Sequence, residues 1–376
     1  MPDSLKIHTH EFFPKMGGIG RYCHELARGA EKLGWVVTLV GPKSADYPPG
    51  KNLPAYHIRH GVHGHSLGLI NLWKSRNQLA EEFRTDSESL HLLAEPGPIL
   101  ACGLLPPSSY PKRLRMVLHG SEIERWSSRL SVAGRIAARS VQLAGAIIVP
   151  SEAVAKKVTT RFPATKNRTH VVHHALPEVF KSAAIHSRRT QKDSTVGRID
   201  LLSVGRIHPR KGFDQVLQAL RGLSTKEKSA LSYTIAGSRC KSCYEHKLRE
   251  LAKCSGCRVH FNLDPSDAEL VNLYEKANLF ILTSMPHGKS VEGFGLVYLE
   301  AAAFGLPSIA HRVGGVDAAV LDGETGYLLS NQGPESITEQ LRAIIHRPEM
   351  LLPLGSRARQ QAFSRDWPDV ASESRP

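Results

Sequence analysis

Residues 277–308, ANLFILTSMPHGKSVEGFGLVYLEAAAFGLPS, read as strand, loop and helix in quick succession. The unbroken apolar run "LFIL" predicts a buried strand, and Gly305 with Pro307 marks the end of the helix that follows the loop. Two glutamates stand eight positions apart, Glu292 in the loop and Glu300 about two turns inside the predicted helix. An ionised carboxylate in so apolar a stretch needs partners to offset its lost hydration. Eight helical residues turn by roughly 80° and rise about 12 Å, so the two cannot share one proton. They read as separate acceptors, suited to hydroxyls on two parts of an extended ligand. The backbone N–H groups of Gly293, Phe294, Gly295 and Leu296 lie between them at the helix start and can receive phosphate oxygens.

The same strand, loop, helix order recurs outward from this segment. "SLKIHTH" leads through "GGIG" into "RYCHELARGAEKL", where Tyr22, Leu26, Ala30 and Leu33 fall at helical spacing, and Gly34 stops the helix before "WVVTLV". "LRMVLHG", "AGAIIVPSE" and "THVVHHALPE" read as further buried strands of one parallel sheet. Residues 182–198, "SAAIHSRRTQKDSTVGR", are polar, charged and without period, and read as a linker. A second alternation follows, with strands at "IDLLSVGRI", "LSYTIAG", "RVHFNL", "ANLFILTS" and "LPSIAHR", and a capping box at Ser266 and Glu269. The expected architecture is α/β: two doubly wound Rossmann-like domains, residues 1–178 and 199–376, facing across a cleft. In the final stretch, residues 357–376, a last helix could cross back to the first domain. Ligands of such sheets sit in the loops at the carboxyl ends of the strands.

Composition narrows the class. A chain of 376 residues suits two domains of ordinary size. No apolar run approaches the roughly 20 residues of a membrane helix, and "MPDSLKIHTHEFF" lacks the apolar core of a signal peptide. The expected location is cytoplasmic, where thiols stay reduced. The net charge is +14, and residues 1–180 hold 23 Lys and Arg against 14 Asp and Glu, so most of the excess lies in the first half. That suits an anionic ligand or surface. Were residues 125–139 one helix, Arg125, Arg129, Arg135 and Arg139 would form a basic stripe within roughly 120° of arc. A solvated face, a contact with the acceptor, or a peripheral contact with the inner face of an anionic membrane would each use it.

The loops supply candidate ligand groups. Gly17 and Gly18, between the first strand and first helix, let backbone N–H groups approach a pyrophosphate at the positive helix end. A dinucleotide site fits poorly, because the third glycine is missing and the second strand ends "LVGPK" without an acidic residue for a ribose. In "LLSVGRIHPRKGFDQVL", Arg206 and Lys211 follow a strand and precede a helix; such a pair can clamp two phosphates or simply be solvated charge. No D-x-D motif for a divalent ion occurs.

Taken in order, the Gly17–Gly18 loop, "LHGSE", "IIVPSE", "VGRIHPRKG", "TIAG", "EGFGLVYLEA" and "GGVDAAVLDGETGYLL" resemble the retaining glycosyltransferases of GT-B fold with an E-x7-E signature, glycosyltransferase family 4. The resemblance spans almost the whole chain and is strongest to bacterial phosphatidylinositol-mannoside mannosyltransferases. It implies a metal-independent hexosyltransferase with no required cofactor, moving a mannose- or glucose-type hexose from a nucleotide-sugar to a lipid-linked or polysaccharide acceptor in cell-envelope glycan synthesis. GDP-mannose is the favoured donor and a UDP-sugar the next. By the same resemblance Arg206 and Lys211 hold the donor pyrophosphate with the N–H groups near Gly18 and Gly295. Glu300 takes the ribose hydroxyls, Glu292 the hydroxyls of the transferred sugar, and His119 contacts that sugar near the reacting carbon. Attack is expected on the front face, with the departing phosphate taking the acceptor proton.

Some residues depart from the family pattern. His173 and His174 stand where an asparagine and a glycine are expected. Cys240, Cys243, Cys254 and Cys257 are spaced C-x2-C-x10-C-x2-C and could form a structural zinc site, yet the intervening residues pattern as a helix about 15 Å long, too long for one ion. His57, His60, His63 and His65 could bind metal or belong to a loop. Two further readings remain: a phosphate-using GT-B phosphorylase, and a basic, zinc-containing nucleic-acid-binding protein. Against the second, the chain shows no basic and aromatic alternation of the kind that reads single strands, and no nucleic acid is expected as a partner.

Overall fold

The computed structural model describes residues 3–12, 17–42, 57–61, 68–126, 131–187, 198–239, 243–288 and 290–375. The chain divides into two compact units, residues 1–174 with 366–376, and residues 175–365. In the first, runs such as "LHLL" and "AIIV" are buried along their whole length, the pattern of strands covered on both faces. Seven parallel strands form its sheet: β1 (Ser4–His8), β2 (Val36–Pro42), β3 (His57–Gly61), β4 (Leu90–Leu93), β5 (Leu114–Val117), β6 (Ala146–Val149) and β7 (Thr169–Val171), in the order β3-β2-β1-β4-β5-β6-β7. The crossovers are α1 (Gly18–Lys32), α2 (Leu69–Thr85), α3 (Pro96–Gly103), α4 (Ser121–Arg125), α5 (Val132–Leu143) and α6 (Glu152–Arg161).

The second unit opens with α7 (Glu178–His186) and holds six parallel strands: β8 (Ile199–Val204), β9 (Leu231–Gly237), β10 (Arg258–Leu263), β11 (Leu279–Leu282), β12 (Ser308–His311) and β13 (Gly326–Leu329), ordered β10-β9-β8-β11-β12-β13. Its helices are α8 (Phe213–Arg221), α9 (Thr225–Ser229), α10 (Tyr244–Ser255), α11 (Asp267–Lys276), α12 (Leu296–Ala303), α13 (Pro334–His346) and α14 (Leu351–Ala362). A last helix, α15 (Trp367–Glu373), belongs to the first unit and packs on α1. Its approach needs Gly29, since a Cβ there would meet the Trp367 carbonyl oxygen at 2.4 Å. In each sheet the strand order reverses once, beside β1 and β4 and beside β8 and β11. Those reversals place loops around a crevice at the strand ends.

Several elements differ from the sequence reading. Residues 57–61 form β3, paired in parallel with β2, rather than a loop; His63 and His65 lie outside the described residues. Ser182–His186, expected to open the linker, close α7, because Phe180 and Ala184 at helical spacing are buried. Residues 125–139 are not one helix: α4 ends at Arg125 and α5 starts at Val132, capped by Ser131. Only Arg135 and Arg139 of the supposed stripe share a helix, and Arg129 lies outside the described residues. The capping box at Ser266 and Glu269 is present, with the Ser266 hydroxyl accepting from the Glu269 N–H at 3.3 Å and Glu269 Oε2 accepting from the Ser266 N–H at 2.8 Å.

Candidate functional site

At the reversal of the second sheet, the loop after β8 meets the loop after β11. A 3-10 turn at Pro209–Lys211 carries both cations inward, and Gly212 ends it with φ 71°. No side chain fits there: a Cβ on Gly212 would lie 2.0 Å from the Thr283 carbonyl oxygen, just past β11. Thr283 Oγ1 completes the junction by donating to the Gly212 carbonyl at 3.0 Å. This close seam brings Lys211 and Glu292 together. Lys211 Nζ donates to Glu292 Oε2 at 2.6 Å, Arg210 donates to the same oxygen at 2.9 Å, and Ser284 Oγ at 3.1 Å.

All three charged side chains are about nine-tenths buried. Burial pushes the Glu292 carboxyl up, but the Lys211 and Arg210 charges outweigh it and hold the group down at about 2. Burial likewise draws the Lys211 ammonium below its ordinary value, with Glu292 opposing. The cluster therefore carries two cations on one carboxylate, and Arg206, four residues before Arg210, adds an exposed positive charge at its rim. A buried site with surplus positive charge at a helix start suits an anionic ligand. Sequence reasoning chose Arg206 and passed over Arg210 and Ser284, which are the direct partners of Glu292.

Glu300 sits apart from this cluster's hydrogen bonds. The helix α12 begins only at Leu296, so Glu300 lies in its second turn, one turn closer to the loop than expected. It is buried, and its Oε2 accepts the Tyr274 hydroxyl at 2.8 Å. Gly295 caps the helix at φ 92°, and the Tyr298 hydroxyl ties the first turn back to the Leu282 carbonyl at the end of β11 at 2.7 Å. Gly293 and Phe294 complete the lead into this turn. On the other side of Gly212, Asp214 accepts both the Tyr244 hydroxyl and Lys247 Nζ at 2.7 Å, which fastens the start of α10 to α8.

The first unit places Gly17, Gly18 and His119 at the carboxyl ends of its own central strands. Gly18 has open space at its Cβ position, whereas a Cβ on Gly17 would meet the Glu11 carboxylate at 2.4 Å. Glu11 Oε1 accepts the Gly20 N–H at 3.2 Å, so one amide at the start of α1 already has an anionic partner. Glu95, at the start of α3 and 6% exposed, accepts the His10 N–H and braces the loop after β1. Burial, with Glu11 nearby, pushes the Glu95 carboxyl up to about 7. His119 follows β5; its backbone N–H donates to the buried Glu122, and its Nε2 lies 3.0 Å from the Ala94 carbonyl, which requires the proton on Nε2. Glu11, Glu95 and Glu122 escaped the sequence reading, since each works through backbone groups that only the fold brings near.

The described members of the cysteine pairs, Cys243, Cys254 and Cys257, are not gathered into a metal site. α10 runs unbroken from Tyr244 to Ser255, between Cys243 on one side and Cys257 on the other. Cys243 and Cys254 are exposed, and among the described residues no group of three or more His, Cys, Asp or Glu could hold a metal ion. Cys240 lies outside the described residues.

Two parallel-sheet units, of seven and six strands, with candidate ligand groups at the reversal of each sheet, define a GT-B architecture. Sucrose-phosphate synthase from Thermosynechococcus elongatus superposes with a TM-score of 0.74 over 99% of this chain and 97% of its own, at 18% identity. Residues 16–177 match the family description Glycosyltransferase Family 4, and residues 186–361 match Glycosyl transferases group 1. The two matches together span most of the chain, which belongs to these glycosyltransferases. A GDP-mannose-dependent alpha-(1-6)-phosphatidylinositol monomannoside mannosyltransferase of Mycolicibacterium smegmatis is 26% identical over 96% of this chain and 94% of the relative. A D-inositol 3-phosphate glycosyltransferase of Corynebacterium glutamicum is 32% identical over 45% of this chain; the match spans 40% of that relative's length.

Proposed function

We propose that this chain transfers a mannose- or glucose-type hexose from a nucleotide-sugar to a lipid-linked or polysaccharide acceptor with retention of configuration. GDP-mannose is the favoured donor and UDP-sugars the next. The observation that carries the reading is the buried cluster of Lys211, Arg210, Ser284 and Glu292 at the reversal of the second sheet. A nucleoside diphosphate leaving group gathers negative charge as its glycosidic bond breaks, and fixed, desolvated cations stabilise that charge without reorganising. In this reading the diphosphate takes over Lys211, with Arg206 closing on it from the rim and the N–H groups of Gly17, Gly18 and Gly293–Leu296 as further donors. Glu292, released from one cation, accepts hydroxyls of the transferred sugar. Glu300, held by Tyr274, takes the hydroxyls of the nucleotide ribose.

His119 presents its ring to the donor sugar, fixed by Glu122 and Ala94. The acceptor hydroxyl attacks from the side the diphosphate leaves, and the departing phosphate oxygen takes its proton. In this reading the protein cations carry the leaving-group charge and transfer needs no metal. The relatives' named substrates and the basic first half support an acceptor presented at an anionic membrane, met peripherally from the cytoplasmic side. No helix among the described residues is long and apolar enough to cross a membrane.

The test is donor hydrolysis and thermal stabilisation across GDP-, UDP- and ADP-sugars, without metal and with EDTA. Selective stabilisation and slow sugar release with one donor are expected. A folded protein that answers none of them, or answers only with a divalent ion, overturns the corresponding part of the reading.

A further inference from the structure

Behind His119 in the first unit lies an aromatic group that the transfer reading does not use. The Tyr22 ring stands perpendicular to the His119 ring, 5.5 Å between centroids at 82°. Tyr22 is itself held from two other sides, by His174 at 4.9 Å and by Trp367 at 5.8 Å. His174 and Trp367 stack on each other at 6.3 Å and 21°, and His174 also lies 6.3 Å from His119. Tyr22, His174 and Trp367 are 1%, 8% and 4% exposed. Perpendicular and offset ring pairs at these separations attract through their quadrupoles and fix relative orientation.

The chain positions of these rings matter. Tyr22 is in the second turn of α1, directly after the glycine loop. His174 is the last residue of the first unit before the chain leaves it, and Trp367 is the second residue after the chain returns. Both passages between the units thus end on the ring that backs His119. His119 has its backbone N–H on Glu122 and its Nε2 on the Ala94 carbonyl. The first bond fixes the main chain at His119, the second fixes one edge of the imidazole, and Tyr22 bears on its ring.

We infer that Trp367 and His174 are positioning residues for His119, acting through Tyr22, so that the seating of the two chain passages sets the orientation of the imidazole. The inference rests on the reading that His119 meets the donor sugar. It explains why an aromatic stacking residue stands at position 174, where the resemblance called for a small turn residue: a glycine or asparagine there would leave Tyr22 and Trp367 without their third ring.

The experiment follows the imidazole directly. In protein carrying 13C-labelled histidine, the ring resonances of His119 are assigned by their loss in His119→Gln and then compared in Trp367→Leu and Trp367→Phe. Trp367→Leu should move the His119 resonances and lower kcat for donor hydrolysis by between about tenfold and a hundredfold, the loss expected when a group near the reacting atoms is misplaced. Donor KM should stay within about twofold, and Trp367→Phe should restore both readouts. A purely structural role would leave the His119 resonances in place.

Because Trp367→Leu also thins the packing of α15, both readouts are repeated in His174→Leu, which leaves that helix intact; the same displacement and kcat loss are expected. Unmoved His119 resonances in either folded variant overturn the inference. If His119→Gln retains full kcat, the donor role of His119 fails, while the resonance shifts still decide whether Trp367 and His174 orient it.

Discussion

Glu95 gives a sharp test of the first unit's design. Its carboxyl is buried at the start of α3, holds the loop after β1 through the His10 N–H, and is displaced upward from 4.5 to about 7 by burial and by Glu11. Between those values the folded protein keeps a proton that the unfolded chain has lost, so stability falls as pH rises through the window. A displacement of about 2.5 units at about 1.36 kcal/mol each gives about 3 kcal/mol, present below pH 4.5 and gone above pH 7. Glu95→Gln keeps an acceptor for the His10 N–H and removes the titration. The assay is urea unfolding at pH 5, 6, 7 and 8 followed by tryptophan fluorescence, because Trp35, Trp73, Trp126 and Trp367 all lie in the first unit and the second contributes no tryptophan signal. Histidines whose burial lowers their pKa, His8, His24 and His91 among them, act with the opposite sign. They are common to both proteins, so the difference between wild type and Glu95→Gln isolates Glu95. That difference should move by about 2–3 kcal/mol in favour of the variant between pH 5 and pH 8. Parallel stability curves across this range would refute the assignment of a buried, raised carboxyl here.

Other predictions concern the second unit and its site. Glu292→Gln, which preserves shape but removes the negative charge that faces Lys211 and Arg210, should lower donor turnover by about a hundredfold or more, read as initial rates with the preferred nucleotide-sugar; full turnover would exclude the cluster from the chemistry. Glu292→Ala should also cost about 3–5 kcal/mol of stability, because it strands two buried cations, a loss that thermal melting by circular dichroism would show. Since Glu292 is held at about 2, the stability it contributes is present above 4.5 and lost only as pH falls toward 2; donor turnover should therefore show no inflection from this carboxylate above about pH 3. Gly212→Ala should destabilise the second unit by about 1–3 kcal/mol, through a positive φ and the 2.0 Å approach to Thr283, and should weaken donor binding by displacing Lys211; unchanged melting would argue against the seam.

The sequence made the βα units of the second half readable because each apolar strand is followed by a loop and a capped helix, as in residues 277–308. It also placed Lys211 and Glu292 in loops that follow strands. It did not show that the two touch, since they are 81 residues apart and meet only because β8 and β11 are neighbours in the sheet. The sequence singled out Arg206 and passed over Arg210; the 3-10 turn at Pro209 decides which one faces Glu292. Strand β3, "HIRHG", carries almost no apolar signal, because an edge strand is recruited by backbone pairing and not by burial. The end of α7 was hidden by its charged surroundings, although Phe180 and Ala184 at i and i+4 announce it. His174 stood out as a departure from the family pattern, but its purpose rests on Trp367, nearly two hundred residues later in the chain.

The return of α15 to α1 also bears on how the protein is made. Residues 175–365 are contiguous in the chain, so the whole of the second unit's sequence is translated before the residues of α15 that the first unit uses. The first unit is begun earlier yet lacks its final helix until Trp367 and the residues after it have emerged. Until then, the face of α1 around Tyr22 and Gly29 has no cover from α15. The unit translated first is thus completed last: the apolar face of α1 waits for its cover until the whole of the second unit's sequence has been translated.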